Sequence, residues 1–207
     1  MHKKLLIIFE GVEGSGKTTH INFISKELKR KRIKFIKIRE PGGSKNSEII
    51  RKIILNNKSN FNIKTDLLLY LAARSENIDK IISKNYRKKI ILIDRFIDST
   101  MAYQHYGMKI PKKIISELNK YLLSNIKPDF TFVNIVDKKN LKLRLKKRKF
   151  KNRYDNFNYS FYNNVQKGFL KIANKSSKYM IINSNNSIFN NKKIISNKIL
   201  RLIGMNK

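Results

Sequence analysis

The sequence predicts an α/β fold, an open parallel sheet of about five strands with helices on both faces. Three observations predict it. The short, continuous apolar run at residues 5–9, with strand-like stretches at 89–93 and 128–136, is what strands buried on both faces look like. Longer stretches between them carry apolar residues at helical spacing. Strand-like and helix-like segments alternate along the chain, so each helix returns the backbone to the edge where the previous strand began, and the strands run parallel.

The elements follow in order. Residues 5–9 form the first strand, closed by a Gly-rich turn. A helix over about 17–31 places Ile21, Ile24 and Leu28 on one side. Ile33, Phe35, Ile36 and Ile38 mark a second strand, ended by Pro41-Gly42-Gly43. A short helix spans 48–55 and a longer one about 66–82. Residues 89–93 form a third strand that ends at Asp94-Arg95. Pro111 opens a helix carrying Ile114, Ile115, Leu118 and Leu122, since proline suits a helix start. A fourth strand (128–136), a helix (141–149), a fifth strand (179–182) and a closing helix (194–203) complete the chain. Two stretches break the pattern. Residues 146–159 are basic, Asn-rich and aromatic, which suits a mobile lid, and 183–191 read as a plain Asn/Ser surface loop.

A chain of 207 residues, 41% hydrophobic, suffices for one domain spanning 1–207. No apolar run reaches eighteen residues, so no transmembrane helix is expected. The apolar run after Met1-His2-Lys3-Lys4 is short and ends in Glu10-Gly11, unlike an export signal, so the expected location is cytoplasmic. The absence of cysteine excludes disulfides, thiolate nucleophiles and Cys-based zinc sites. The net charge is +33, from 47 basic and 14 acidic residues. Its two readings are a nucleic-acid footprint and compositional drift. The basic residues are spread along the chain beside 32 Ile and 25 Asn, residues of A/T-rich codons, which favours drift and no specific nucleic-acid partner. The charge still suits small anionic ligands.

Gly11-Val12-Glu13-Gly14-Ser15-Gly16-Lys17-Thr18 matches G-x-x-x-x-G-K-[ST]. The glycines let successive backbone N–H groups face a phosphate, and a helix opening at Lys17 adds its positive end. Lys17 then reaches the β- and γ-phosphates of a nucleotide, and the Thr18 hydroxyl ligates Mg²⁺; a motor, GTPase or nucleic-acid ATPase would carry the same loop. Five of the eight glycines lie in this loop or in Pro41-Gly42-Gly43. The loop follows a buried strand and opens a helix, as a P-loop NTPase-type fold requires. Asp94-Arg95 sits at the C-terminal end of a strand, the edge where open α/β sheets bind ligands. Asp94 can hold Mg²⁺ through its water shell, and Arg95 can fork onto a phosphate. An ion pair between neighbours would leave the same trace. Asn57-Lys58-Ser59-Asn60 lacks the Asp of the guanine-reading N-K-x-D.

Asp94-Arg95-Phe96-Ile97-Asp98-Ser99-Thr100-Met101-Ala102-Tyr103-Gln104 closely resembles the thymidylate kinase signature D-R-[YF]-x-x-S-[ST]-x-A-Y-Q. Arg39-Glu40-Pro41-Gly42-Gly43-Ser44 is similar to the family's R-E-P-G-G-T, with Arg51 at the family's spacing. Residues 66–74, DLLLYLAAR, resemble its E-L-L-L-F-x-A-x-R helix, and Pro128-Asp129-Phe130-Thr131 its P-D-L-T. Asn152-Arg153-Tyr154-Asp155 stands where the lid usually reads D-R-x-E, Asn134-Ile135 where Leu-Asp is usual, and His105 where Gly is usual.

The resemblance implies phosphoryl transfer from ATP·Mg²⁺ to dTMP, giving dTDP, by a homodimer. Carried over by position, Glu13 accepts from the sugar 3′-hydroxyl, and Arg95 grips the dTMP phosphate beside Arg39 or Arg51. Tyr70 lies against the thymine ring, Arg74 meets thymine O4, Thr100 or Gln104 meets the base edge, and Tyr103 fills the space of a 2′-hydroxyl. Taken alone, the helical spacing of Tyr70 favours a core aromatic, and only the neighbouring motifs reverse that reading. Phosphoryl transfer needs positioning and charge neutralisation. The variable loop positions Val12, Glu13, Gly14 and Ser15 carry no cation, so the resemblance assigns that charge to the lid, to Arg148 and Arg153 with Arg144 behind them. The alternatives are another nucleoside or nucleotide kinase on this scaffold, or a nucleotide-dependent nucleic-acid-binding protein.

Overall fold

The computed structural model describes residues 2–148 and 152–205. Strands β1 Leu6–Gly11, β2 Phe35–Arg39, β3 Ile90–Asp94, β4 Phe130–Ile135 and β5 Tyr179–Asn183 form one sheet in the order β2-β3-β1-β4-β5. Every pairing is parallel. Helices α1 Lys17–Arg30, α2 Lys45–Leu55, α3 Ile63–Asn77, α4 Ile97–Thr100, α5 Lys112–Leu123, α6 Lys138–Lys146, α7 Tyr159–Ala173 and α8 Ile188–Leu202 connect and cover the strands. Helix α3 runs on through π-helical Ile78–Ile82 to a last turn at Ser83–Asn85, and α4 continues as π-helical Met101–Gly107.

Alternation along β1 divides the core. Ile7 and Phe9 pack with Ile21, Ile24 and Leu28 of α1 and Ile195 and Ile199 of α8. Leu6 and Ile8 face the other way, toward Ile78, Ile82 and Leu123. Both faces are covered, which is why Leu6–Phe9 of β1 and Ile90–Ile93 of β3 read as unbroken apolar runs. The P-loop follows β1 and Asp94 ends β3, its neighbour in the sheet, so the two motifs meet at one edge.

The expected elements are present with shifted ends. Helix α2 starts at Lys45 because the Ser44 side chain accepts from the Ser47 N–H, and α3 starts at Ile63 because Asn62 accepts from Lys64 and Thr65. Pro111 is the cap residue of α5 rather than its first helical position. Helix α6 spans Lys138–Lys146 instead of 141–149, and Lys149 lies outside the described residues. The plain loop expected at 183–191 is corrected. Helix α8 begins at Ile188, Ser184 and Asn191 are buried, and the Asn191 amide donates to the Asn183 carbonyl at 2.9 Å.

Two helices were not anticipated. Helix α7 buries Tyr162, Val165, Phe169 and Ala173 along one face, a regular helical spacing, and Asn158 caps it. Helix α4 has no side-chain cap at its own cap residue, Phe96. Its cap comes from β1: Glu10 Oε1 accepts from the N–H groups of Phe96 (2.7 Å) and Ser99 (3.1 Å). Glu10 is fully buried, and burial raises its carboxyl pKa against these bonds.

Candidate active site

The loop after β1 wraps around a lysine. Gly14 and Gly16 hold φ of 68° and 94°, a region open to glycine at little cost, and Gly16 leads into α1 with no side-chain cap. The cap residue thus offers the N–H groups of the first turn no side-chain acceptor, the arrangement that suits a phosphate. The Lys17 ammonium donates to the carbonyls of Gly11 and Val12 at 2.8 Å each, and to Ser15 Oγ at 3.4 Å. Burial, with Arg95 adding to it, pushes the Lys17 pKa down to about 8 against the pull of Asp94, Glu13 and Glu10. Next to it, the Thr18 hydroxyl donates to Asp94 Oδ2 at 2.8 Å. A hydroxyl and a carboxylate are hard oxygen donors and fit Mg²⁺.

Arg95 sits at φ 71°, a backbone region that costs a non-glycine residue about 1–2 kcal/mol. Four contacts hold its side chain there. One Nη donates to the Gly11 carbonyl (2.8 Å) and Ser99 Oγ (3.3 Å), the other to Glu13 Oε1 (2.9 Å), and the guanidinium lies 5.2 Å from the Tyr103 ring centre. The Tyr103 hydroxyl donates to the other Glu13 oxygen. Burial alone would raise the Glu13 carboxyl; Arg95, Lys17 and Tyr103 outweigh it and hold the group below its ordinary value.

A cleft of about 500 Å³ opens over these groups. Glu13 to Thr18, Asp94, Arg95, Arg39, Arg51, Tyr70 and Arg148 all line it. An adjoining recess is lined by Tyr70, Arg74, Thr100, Tyr103 and Gln104, and it shares Glu13, Glu40, Tyr70 and Arg95 with the cleft. The sequence-predicted residues converge from the loop after β1 and from α1, β2, α2, α3, β3 and α4 with its continuation, except that Gly11 and Val12 line neither cavity, Val12 being packed in the core; two arginines need a further qualification.

Arg74 is a framework residue as well as a wall of the recess. It is 2% exposed, and it donates to Glu40 Oε2 (2.8 Å), Asn119 Oδ1 (2.7 Å) and the Phe96 carbonyl (2.9 Å). Arg153 lines neither cavity. It pairs with Asp66 and donates to the Ile54 carbonyl, so in this structure its side chain faces α3 and the end of α2. Arg144 stands closer to the P-loop, donating to the carbonyls of Gly14 (3.1 Å) and Ser184 (2.6 Å).

A family model described as "Thymidylate kinase" matches residues 9–195. The chain belongs to the thymidylate kinase family. It is similar to the thymidylate kinase of Thermosipho africanus, 36% identical over 187 residues, which are 90% of this chain and 92% of that protein. The thymidylate kinase of Wolbachia pipientis wMel is 40% identical over 175 residues, covering 83% and 86%. The crystal structure of thymidylate kinase from Ehrlichia chaffeensis matches with a TM-score of 0.76 at 29% identity, covering 96% of this chain and 98% of that one.

Departures from the usual thymidylate kinase motifs have local explanations. Asn134, in place of an apolar residue, is fully buried and donates to Ser184 Oγ at 3.0 Å, tying β4 to the segment after β5. His105 Nδ1 lies 2.8 Å from the Ile110 carbonyl. Sequence reasoning missed part of the cleft wall, namely His20, Ser184, Ile188 and Asn191. His20 is 3% exposed, its Nδ1 has no partner among the described residues, and burial together with Lys192 and Arg144 pushes its pKa down to about 4. Its place three residues after Lys17, at the end of the first turn of α1, was the available signal.

Proposed function

We propose that the protein transfers the γ-phosphoryl group of ATP to dTMP, giving dTDP. The observation that carries this reading is the continuity of the two cavities. The P-loop with Lys17, Thr18 and Asp94 lies at one end, and the recess with Tyr70, Arg74, Thr100, Tyr103 and Gln104 at the other. Glu13 and Arg95 line both.

The division of labour follows from chemistry. The N–H groups of Gly14, Ser15 and Gly16 and the Lys17 ammonium bind the donor phosphates. Thr18 and Asp94 would hold Mg²⁺, which when bound supplies neutralising charge on the β- and γ-oxygens. Arg95 binds the acceptor phosphate, with Arg39 and Arg51 at the same wall. Glu13 accepts from the sugar 3′-hydroxyl and, through Arg95 and Tyr103, sets the height of the acceptor above the P-loop. Arg148, which also lines the cleft, supplies the charge that the P-loop lacks, so that donor and acceptor oxygens meet in line in a positively lined space.

The reading also proposes a homodimer and a cytoplasmic location. Exposed Ile49 and Ile53 of α2 and Leu68 of the adjoining α3 supply apolar area for a dimer. No described helix is long and apolar enough to cross a membrane. A coupled assay with dTMP, dUMP, dCMP and AMP as acceptors tests the central claim. The expected result is turnover strongest with dTMP; preference for another acceptor would reassign the recess to another nucleotide kinase.

A further inference from the structure

The segment read as a lid carries a turn that is anchored to the acceptor side of the molecule. Residues Arg153–Asn156 form a 3-10 turn closed by a capping box, in which Asn152 Oδ1 accepts from the Tyr154 N–H and Asp155 Oδ2 accepts from the Asn152 N–H at 2.8 Å. The second Asp155 oxygen pairs with Arg148 Nη1. The Asp155 side chain is 2% exposed while Arg148 keeps 36% of its side chain exposed and lines the cleft. The turn therefore presents Arg148 to the cleft.

The other side of the turn is held by one carboxylate on α3. Asp66, 2% exposed, pairs through Oδ1 with Arg153 Nη2 and accepts through Oδ2 from the Tyr154 hydroxyl at 2.8 Å. Arg153 also reaches the Ile54 carbonyl at the end of α2. The Tyr154 ring is buried, with its centre 5.9 Å from that of Tyr70 and 6.2 Å from that of Tyr103, two walls of the recess.

We propose that Asp66 is a positioning residue: it fixes the 153–156 turn and, through Asp155, holds Arg148 over the reacting phosphates, while Arg153 is a strut and not a charge donor. The proposal rests on the reading of the cleft as a phosphoryl-transfer site with Arg148 as its lid cation. A charge displaced by about 1 Å from a transition state costs on the order of 10²-fold in rate. A buried carboxylate that sets the position of that charge therefore appears in kcat. It is silent in nucleotide KM when the same contact is weak in the ground state.

The test is a double-variant cycle in steady-state kinetics with dTMP and ATP. Asp66→Asn should lower kcat at least about ten-fold and leave both KM values within about three-fold. In an Arg148→Gln background the same substitution should cost almost nothing, because the group it positions is gone. Tyr154→Phe removes one of the two Asp66 partners but keeps the ring. It should give a smaller kcat loss that also vanishes in the Arg148→Gln background, and it serves if Asp66→Asn folds poorly. An undiminished kcat penalty in the Arg148→Gln background, or an unchanged kcat in Asp66→Asn with only a lower Tm, overturns the proposal. Wild-type turnover of dTMP, and the effect of Arg148→Gln alone, test the underlying reading separately.

Discussion

Replacing Arg74 should damage the fold before it damages recognition of the acceptor. Its guanidinium is 2% exposed and makes three directed hydrogen bonds, one of them an ion pair with a Glu40 side chain that is itself 4% exposed. Arg74→Met keeps most of the aliphatic stem and removes all three donors. The substitution leaves a buried carboxylate unpaired, and breaking such a pair costs about 3–5 kcal/mol. For a chain of this size that is a fall in Tm of about 6–20 °C, at about 2–4 °C per kcal/mol.

The loss should depend on pH. Burial already raises the Glu40 carboxyl, and Arg74 is the main group that pulls it back. Without Arg74 its folded pKa moves further above the unfolded value. A group raised in this way contributes stability at low pH that is lost as the pH rises through the folded pKa. The Arg74→Met deficit, read by calorimetry, should therefore be smaller at pH 5.5 than at pH 8. Adding Glu40→Gln should recover much of it at pH 8 by removing the charge. A variant that melts within about 2 °C of wild type at pH 8 would refute the reasoning, because Arg74 would then be held for a ligand rather than for the fold.

Two further outcomes are expected. Glu13→Gln removes the charge that fixes Arg95 and a partner of Tyr103; it should raise the KM for dTMP about 10–100-fold, the worth of a hydrogen bond to a charged group, with the KM for ATP little changed, and the reverse pattern would overturn the assignment. Asp98, buried beside Glu10 and bonded by the Tyr179 hydroxyl at 3.0 Å, has a carboxyl pushed up to about 7 by burial first and Glu10 second. Its folded pKa lies above its unfolded value, so wild type should lose stability relative to Asp98→Asn as the pH rises from 5 to 8; parallel Tm-against-pH curves for the two proteins would count against it.

Much of the fold is legible because periodicity is a local signal. The runs at 5–9 and 89–93 and the spacing of Ile21, Ile24 and Leu28 reflect burial patterns repeated every two or three to four residues, and these need no partner to be read. Helix α7 was equally legible in Tyr162, Val165, Phe169 and Ala173, but aromatic and Asn-rich surroundings masked the spacing. Helix α4 was not, since its cap is a glutamate 86 residues earlier in the chain.

By itself the sequence determined the α/β class, the phosphate loop and the set of residues gathered at one sheet edge, because motif chemistry requires those residue types at those intervals. Only the tertiary structure decided what each side chain is bonded to. Arg95, Arg74, Arg148 and Arg153 are the same residue type. One is strained and held by Glu13, one is sealed against Glu40, one faces the cleft from Asp155, and one is turned away to Asp66. Each of the four pairs with a carboxylate no more than 14% exposed, and each carboxylate but that of Asp155 belongs to a segment distant in sequence, brought near by packing of the sheet and helices.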